Sequence, residues 1–373
     1  MLSVGLIVAC LLVQNPSALP NPNNNSGSPG TDTARIRSGR PASSLSRFFT
    51  HGRMDKNDNI GFSEGMARIA LDGFSKWGFI DRTGVVVVPA QFENAWEFSG
   101  GLAAVRSNGK WGYVDKKGNL RIPAQFDDAE SFAEGLACVR VGRKFGFIDS
   151  SGSYVVQPQD GNAGSFSEGM APVQLDKNLC FIDHAGQVVI RTTFGTIAAF
   201  REGLAVVSEN NLFGFIDPTG RVVLPTKFVY EWPTGKAMPQ GFSEGLAPFQ
   251  VERKFGYINR KGELVIPAQY YYAFAFREGL ARVYEHRGFT GYIDHTGKVV
   301  IKTSYRNVGD FSEGLASFEQ DRKWGFLDKT GAVVLDAAYD SVWPFQEGFA
   351  LVSDGKHGMT YVDARGSILW KER

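Results

Sequence analysis

This chain has no basic excess, no cysteine framework and no long apolar run. Lys+Arg is 40 and Asp+Glu is 39, which leaves a net charge of +1. A protein dedicated to nucleic acid carries a basic stripe or surplus, so that class is excluded. The three cysteines, Cys10, Cys138 and Cys180, are too few for a disulfide scaffold. Cys138 and Cys180 fall at different positions of neighbouring repeats and read as small buried thiols. The five histidines have no metal-ligand spacing to one another or to a cysteine and read as surface residues. There is no glycine-rich phosphate loop between a strand and a helix, and no Ser/His/Asp ordering. No catalytic set, metal site or cofactor is therefore expected.

The only sustained apolar segment is Leu2–Val13, twelve residues against the roughly 20 that span a bilayer. It resembles the core of an export signal and is followed by the small residues Ser17-Ala18, although the first Lys or Arg is Arg35. Ile7-Val8-Ala9-Cys10 loosely resembles a lipoprotein box. Residues 1–19 thus read as signal-like, and 20–45 as an Asn/Pro/Ser/Gly linker unable to offset its ordering entropy. Residues 46–61 read as a transition that caps the array, with Phe48-Phe49 available to pack on it. The expected location is extracytoplasmic (secreted, periplasmic or envelope-associated), with the cytoplasm as the alternative. Membrane contact is expected only through the N-terminal segment.

What the chain has in quantity is glycine, 44 residues, and aromatics, 13%. That pairing suits short strands joined by tight turns. A phrase centred on a marker phenylalanine recurs at Phe62, Phe98, Phe132, Phe166, Phe200, Phe242, Phe276, Phe311 and Phe345. Most steps are 34 residues; the fifth repeat is the long one, at 42. Fixed-period self-similarity means a repeat architecture, here nine units over 62–373.

Within a unit, the position five after the marker is alanine in every copy, from Ala67 to Ala350, and the position seven after is apolar. The positions between, such as Ala104 and Arg106, vary. This alternation predicts a strand with one buried and one free face. A second strand follows, as in Lys110-Trp111-Gly112-Tyr113-Val114-Asp115. Trp77-Gly78, Trp111-Gly112 and Trp324-Gly325 mark it, the tryptophan as core and the glycine as a bulge or close approach. Asp81, Asp115, Asp149 and Asp328 each stand three residues before a glycine, the pattern of a type I turn capped by its own aspartate. A third strand is expected to end at Pro89, Pro123, Pro158, Pro225 or Pro267, with an aromatic such as Phe126 plugging the junction to the next unit. Three strands per unit are marginal alone and must stack on neighbours.

The phrases Phe-Ser-Glu-Gly-Leu-Ala, Lys-Trp-Gly-[Phe/Tyr]-Ile-Asp and Gly-x-Val-Val-Ile-Pro resemble the WG (KWG) repeat family of bacterial proteins. Some copies depart: the second has Gly100 where the others have glutamate, and the fourth has Leu179-Cys180 in place of Trp-Gly. The resemblance implies an all-β tandem array with an interaction role, and no catalytic residues or defined ligand. A propeller blade usually takes four strands and about 40–45 residues. A 34-residue unit therefore favours an open β-solenoid or superhelix of three-stranded units over a closed propeller-like ring. Residues 46–61 also lack a strand that could complete the last unit.

The repeated glutamates, Glu64, Glu134, Glu168, Glu202, Glu244, Glu278, Glu313 and Glu347, read as acceptors of backbone N–H groups at the following glycine. A carboxylate ladder for a basic partner is the alternative. The insertion in repeat five supplies the binding candidates Trp232, Lys236 and Met238, since insertions in such arrays emerge as loops. The expected function is a non-enzymatic, monomeric scaffold for a protein or envelope polymer. The alternative is a carbohydrate-active propeller enzyme using an Asp/Glu pair.

Overall fold

A computed structural model of the chain describes residues 60–71, 75–228, 240–285, 290–355 and 358–372. The signal-like and linker segments and most of the proposed cap lie outside these residues. The described residues form nine antiparallel sheets, one per repeat, at 62–92, 94–126, 128–160, 162–191, 196–228, 246–270, 272–303, 307–339 and 341–371. We number them as blades one to nine.

Blade two shows the build. Asn94–Ala95 pairs with Arg106 and Val105. Leu102–Ser107 pairs with Lys110–Asp115, which pairs with Leu120–Phe126. Thirty-four residues thus suffice for four strands, because the first is only two residues long. The expected three-stranded unit is corrected accordingly; blade six has three strands among the described residues.

The expected strand end at proline is also corrected. Pro123 lies inside Leu120–Phe126. Trp111 faces Phe126 while Tyr113 faces Ile122, so the outer strand carries extra residues between two inner ones. Pro123 sits in that bulge, where no ladder donor is missed. The bulge in turn explains the glycine of the Trp-Gly pair. A Cβ on Gly112 would meet Ile122 O at 2.5 Å and Ala124 N at 2.7 Å.

The array closes. Phe62 of blade one packs on Phe349 and Tyr361 of blade nine, with ring centroids 5.0 and 5.3 Å apart. Tyr361 Oη donates to Arg68 O at 2.8 Å, and Arg82 Nη2 donates to Glu347 O at 2.7 Å. One buried cluster joins Ile60, Phe62, Ile69 and Trp77 to Leu351, Met359 and Tyr361. The molecule is a nine-bladed β-propeller and not the open solenoid. Among the described residues no strand is exchanged to close it, because the four strands of blade nine all lie within 341–371. The seam is made by side chains and by one rung of a ladder described below.

Closure also corrects the expected free face. Ala104 and Arg68, both six residues after a marker, are buried. Each blade is sandwiched between two others, so both faces of its second strand are covered. Of the positions expected to be free, Arg106 stays exposed, with Glu93 Oε2 at 3.7 Å from its Nε.

Candidate functional site: the axial cavity

The Phe-Ser-Glu-Gly-Leu turn is a two-residue hairpin. In blade four, Ser167 and Met170 exchange both backbone hydrogen bonds. Glutamate and glycine both take positive φ, 54° at Glu168 and 84° at Gly169. A left-handed glutamate costs roughly 1–2 kcal/mol, so its side chain must return something. It bridges blades. Glu64 accepts from Gly100 N and Gly101 N, Glu134 from Gly169 N, Glu168 from Gly203 N, and Glu202 from Gly245 N, all at 2.7–2.9 Å. Glu244, Glu278 and Glu313 continue to Gly279, Gly314 and Gly348, and Glu347 returns to Gly65 N at 2.9 Å. The expected backbone acceptance is present, but the donor belongs to the next repeat and not to the glutamate's own turn. This is the correction that ring closure makes to the local reading.

In six of the eight rungs the residue after the turn aspartate (after Asn259 in repeat six) adds a cationic or imidazole side chain from the other side; Pro218 and Ala364 stand there opposite Glu168 and Glu313. Lys116 Nζ lies 3.4 Å from Glu64 Oε2, His184 Nε2 3.2 Å from Glu134, and Arg260 Nη2 2.9 Å from Glu202. His295 meets Glu244 at 3.1 Å, Lys329 meets Glu278 at 3.2 Å, and Arg82 meets Glu347 at 3.6 Å. His184 and His295 also stack on Phe166 and Phe276. Where the glutamate is replaced by Gly100, the corresponding turn residue is Ser150, so both halves of that rung are absent together. Burial pushes the Glu202 and Glu278 carboxyls up, but the cation and backbone N–H groups prevail and hold both below the usual range. The ladder is structural and circular.

The turn aspartates are similarly occupied. Asp81 Oδ1 accepts from Thr83 Oγ1 at 2.6 Å and Thr83 N at 2.8 Å, and Asp115, Asp149 and Asp328 accept from the backbone N–H groups two and four residues on. These bonds lower the Asp81 carboxyl, the Thr83 hydroxyl first. Trp77 and Trp111 are buried and Trp324 is half-buried; Gly78 and Gly325 face the neighbouring strand as Gly112 does. Cys138 and Cys180 are free and buried, and burial raises the Cys138 thiol far above its ordinary value. Trp232, Lys236 and Met238 lie outside the described residues. Among the described residues no group of three His, Cys, Asp or Glu is placed to hold a metal ion.

The site that sequence reasoning missed is on the ring axis. In blades two to five and seven to nine the two residues before the marker phenylalanine follow the short first strand, Gln240-Gly241 stand at the same position of blade six, and they converge there. A cavity of about 670 Å³ is lined by these residues from blades three to eight. Gly164, Ser165, Ala198, Ala199, Gly241 and Ala275 make it wide. Only the centre of a ring can receive the same position from six consecutive blades. On the opposite arc the equivalent residues are large. Trp343 packs against the seam cluster, and Trp96 stacks flat on Trp111 at 5.6 Å and 4°.

Four charged residues line the cavity: Glu130, Arg201, Arg277 and Asp310. Asp310 is held by Arg282 Nε at 2.6 Å, and Glu130 accepts from Ser165 Oγ at 3.3 Å. Arg201 and Arg277 have no ion-pair partner among the described residues. Both stand at the serine position of the Phe-Ser-Glu-Gly turn. Elsewhere that serine donates to the next marker's carbonyl, as Ser99 does to Phe132 O at 2.6 Å and Ser243 to Phe276 O at 2.8 Å. The signal was available in the sequence as two arginines in a serine slot.

The fold is shared with distant structures. A crystal structure of a eukaryotic initiation factor superposes with a TM-score of 0.59 at 11% identity, covering 82% of this chain and 95% of that one. BamB from Moraxella catarrhalis gives 0.45 at 13% identity, covering 79% and 96%. Hsv2p from Kluyveromyces lactis gives 0.35 at 12%, covering 65% and 95%. A comparison with curated protein sequences finds no match. The WG containing repeat profile matches eight consecutive stretches, 77–111, 111–145, 145–178, 181–213, 213–255, 255–285, 291–324 and 324–356. The chain belongs to the family of proteins built from WG containing repeats.

Proposed function

We propose that the protein is a non-catalytic binding ring that seats its ligand in the axial cavity, on the arc formed by blades four to seven. One observation carries this reading. The repeated polar groups are engaged in holding blades together, whereas residues that break the repeat gather in one cavity: Arg201, Arg277 and Gln240 above a floor of small residues. A volume of about 670 Å³ falls within the range of small-ligand sites, roughly 300–1,000 Å³. The ladder and the turns supply a rigid frame that fixes the lining residues before a ligand arrives, which favours affinity. The placement expected in the sequence, on the outer β surface and the repeat-five loop, gives way in this reading to the axis. We also infer an extracytoplasmic location, on the strength of the signal-like residues 1–19 alone.

A second reading, a glycan-active enzyme, draws on Glu130 and Asp310, two carboxylates lining the same cavity. The ion pair of Asp310 with Arg282 weighs against a proton-transfer role for it. The test is native mass spectrometry of the ring isolated from its own cells, beside Ala275→Trp, which fills the cavity. Bound mass on the wild-type ring that is missing from the folded variant supports the proposal. Equal retention by both overturns it, and a bound glycan recovered in cleaved form would favour the enzyme.

A further inference from the structure

We infer that the axial cavity takes an organic acid, its carboxylate held between Arg201 and Arg277 and its apolar body lying toward Phe242. The inference rests on the binding-ring reading and adds the ligand class to it.

The argument starts from the serine slot. Nine copies of the repeat offer nine choices at the position after the marker, and five are serine: Ser63, Ser99, Ser167, Ser243 and Ser312. Each donates to the next blade's marker carbonyl at 2.6–2.8 Å. An arginine there forfeits that inter-blade bond. The substitution occurs in blades five and seven, on either side of blade six, and both side chains line the same cavity. The packing of the ring does not ask for it, since blade six keeps Ser243 between them.

Charge then selects the ligand's sign. At the two ends of the lined arc stand Glu130 and Asp310, the first accepting from Ser165 and the second neutralised by Arg282. In the middle stand two guanidiniums, each with a planar fork of donors suited to a carboxylate. Gln240 adds to them. Its Oε1 accepts from Ala275 N at 2.7 Å, which leaves two amide N–H donors. Arg201 lies beside Gly241, a Cβ at which would stand at ordinary contact distance, 3.7 Å, from Arg201 Cδ. The rest of the lining mixes apolar residues, Phe166, Ile197, Leu204 and Phe242 among them, with Ser165, Ser167 and Ser243. Guanidiniums beside apolar side chains fit a carboxylate on a hydrophobic body better than they fit an inorganic ion.

The test uses phenylacetate and its neutral isostere phenylacetamide, titrated calorimetrically into the full chain. Phenylacetate is expected to bind more tightly than the amide by about tenfold or more, the scale of a charge-assisted hydrogen bond. The variant Arg201→Ser/Arg277→Ser restores the residue that other copies use, so it should fold, which its thermal transition will report. It is expected to bind acid and amide alike. Arg201→Lys/Arg277→Lys is expected to retain part of the preference through charge alone. Equal binding of acid and amide by the wild type overturns the inference while leaving the binding-ring reading intact. So does binding of neither probe, or a preference unchanged in the serine variant. The binding-ring reading itself stands or falls on the Ala275→Trp comparison, which involves neither probe.

Discussion

The two sides of the ring axis use the same sequence positions for opposite purposes. On the seam side the residues before the marker are Trp343-Pro344 and Trp96-Glu97; Trp343 packs against the seam cluster and Trp96 against the cluster beside it. On the far side they are Gly164-Ser165, Ala198-Ala199 and Gln240-Gly241, and a cavity remains. The pair Arg68–Glu97 sharpens the contrast. Arg68 is buried, ion-paired with Glu97, bonded to Ala95 O at 2.5 Å and flanked by Trp77 and Trp96. Its counterpart across the ring, Arg282–Asp310, occupies the same two positions of the repeat but borders the open cavity. One side of the axis is closed by bulk and a buried ion pair; the other is left open. The difference teaches that an equal repeat can divide its labour by side-chain size at a single position.

That contrast can be broken by mutation. Arg68→Ala should cost about 3–5 kcal/mol, the toll of breaking an ion pair whose arginine is buried, and should loosen blade one from blade two, where Ala95, Trp96 and Glu97 lie. Arg282→Ala should cost clearly less, because the Arg282 and Asp310 side chains are 21% and 38% exposed against 2% and 25% for Arg68 and Glu97. Urea denaturation of both variants measures the pair, and equal losses would erase the distinction between seam and open arc.

Acid should weaken the open arc first, since Glu202 and Glu278 lie in blades five and seven. Glu202 and Glu278 have carboxyl pKa values lowered from 4.5 in the folded ring. Their contribution is complete above 4.5 and is lost as pH falls through the lowered folded values. The urea midpoint should therefore fall as pH drops below 4.5, and Glu202→Gln should flatten that slope. A midpoint constant down to about pH 3 would contradict the ladder's role.

The smallest effect is expected at the missing rung. Gly100→Glu would place a carboxylate where Gly135 N could donate, at φ 63°, with Ser150 offering no cation. The gain of a hydrogen bond and the strain of a left-handed glutamate are each about 1 kcal/mol, so the stability change should stay within about 1 kcal/mol. A larger change in either direction would show that the rungs are not interchangeable around the ring.

Much of this was legible in the residues, for identifiable reasons. The strand from Leu102 to Ser107, the Asp115–Gly118 turn and the Trp111-Gly112 bulge each carry a local signal: alternation, turn chemistry, or a glycine at a close approach. Closure was not legible, because the strand that makes a blade four-stranded, such as Asn94–Ala95, is too short to show a period. The burial of Ala104 was misread for the same reason: alternation reports one covered face and is silent about a second blade. The cavity was hidden because its lining is a set of small residues one repeat apart, which becomes a site only when the ring brings them round. Arg201 and Arg277 could have been found by asking which of the four copies that abandon serine put a charge in its place.

Hydrogen-exchange mass spectrometry, with and without saturating phenylacetate, tests most directly the claim that one arc closes the ring while the opposite arc binds. The account predicts protection confined to segments around Ser165, Ala199, Gly241 and Ala275, with the seam around Phe62, Trp96 and Trp343 unchanged. Protection at the seam or along the outer strands, or none anywhere, would contradict it.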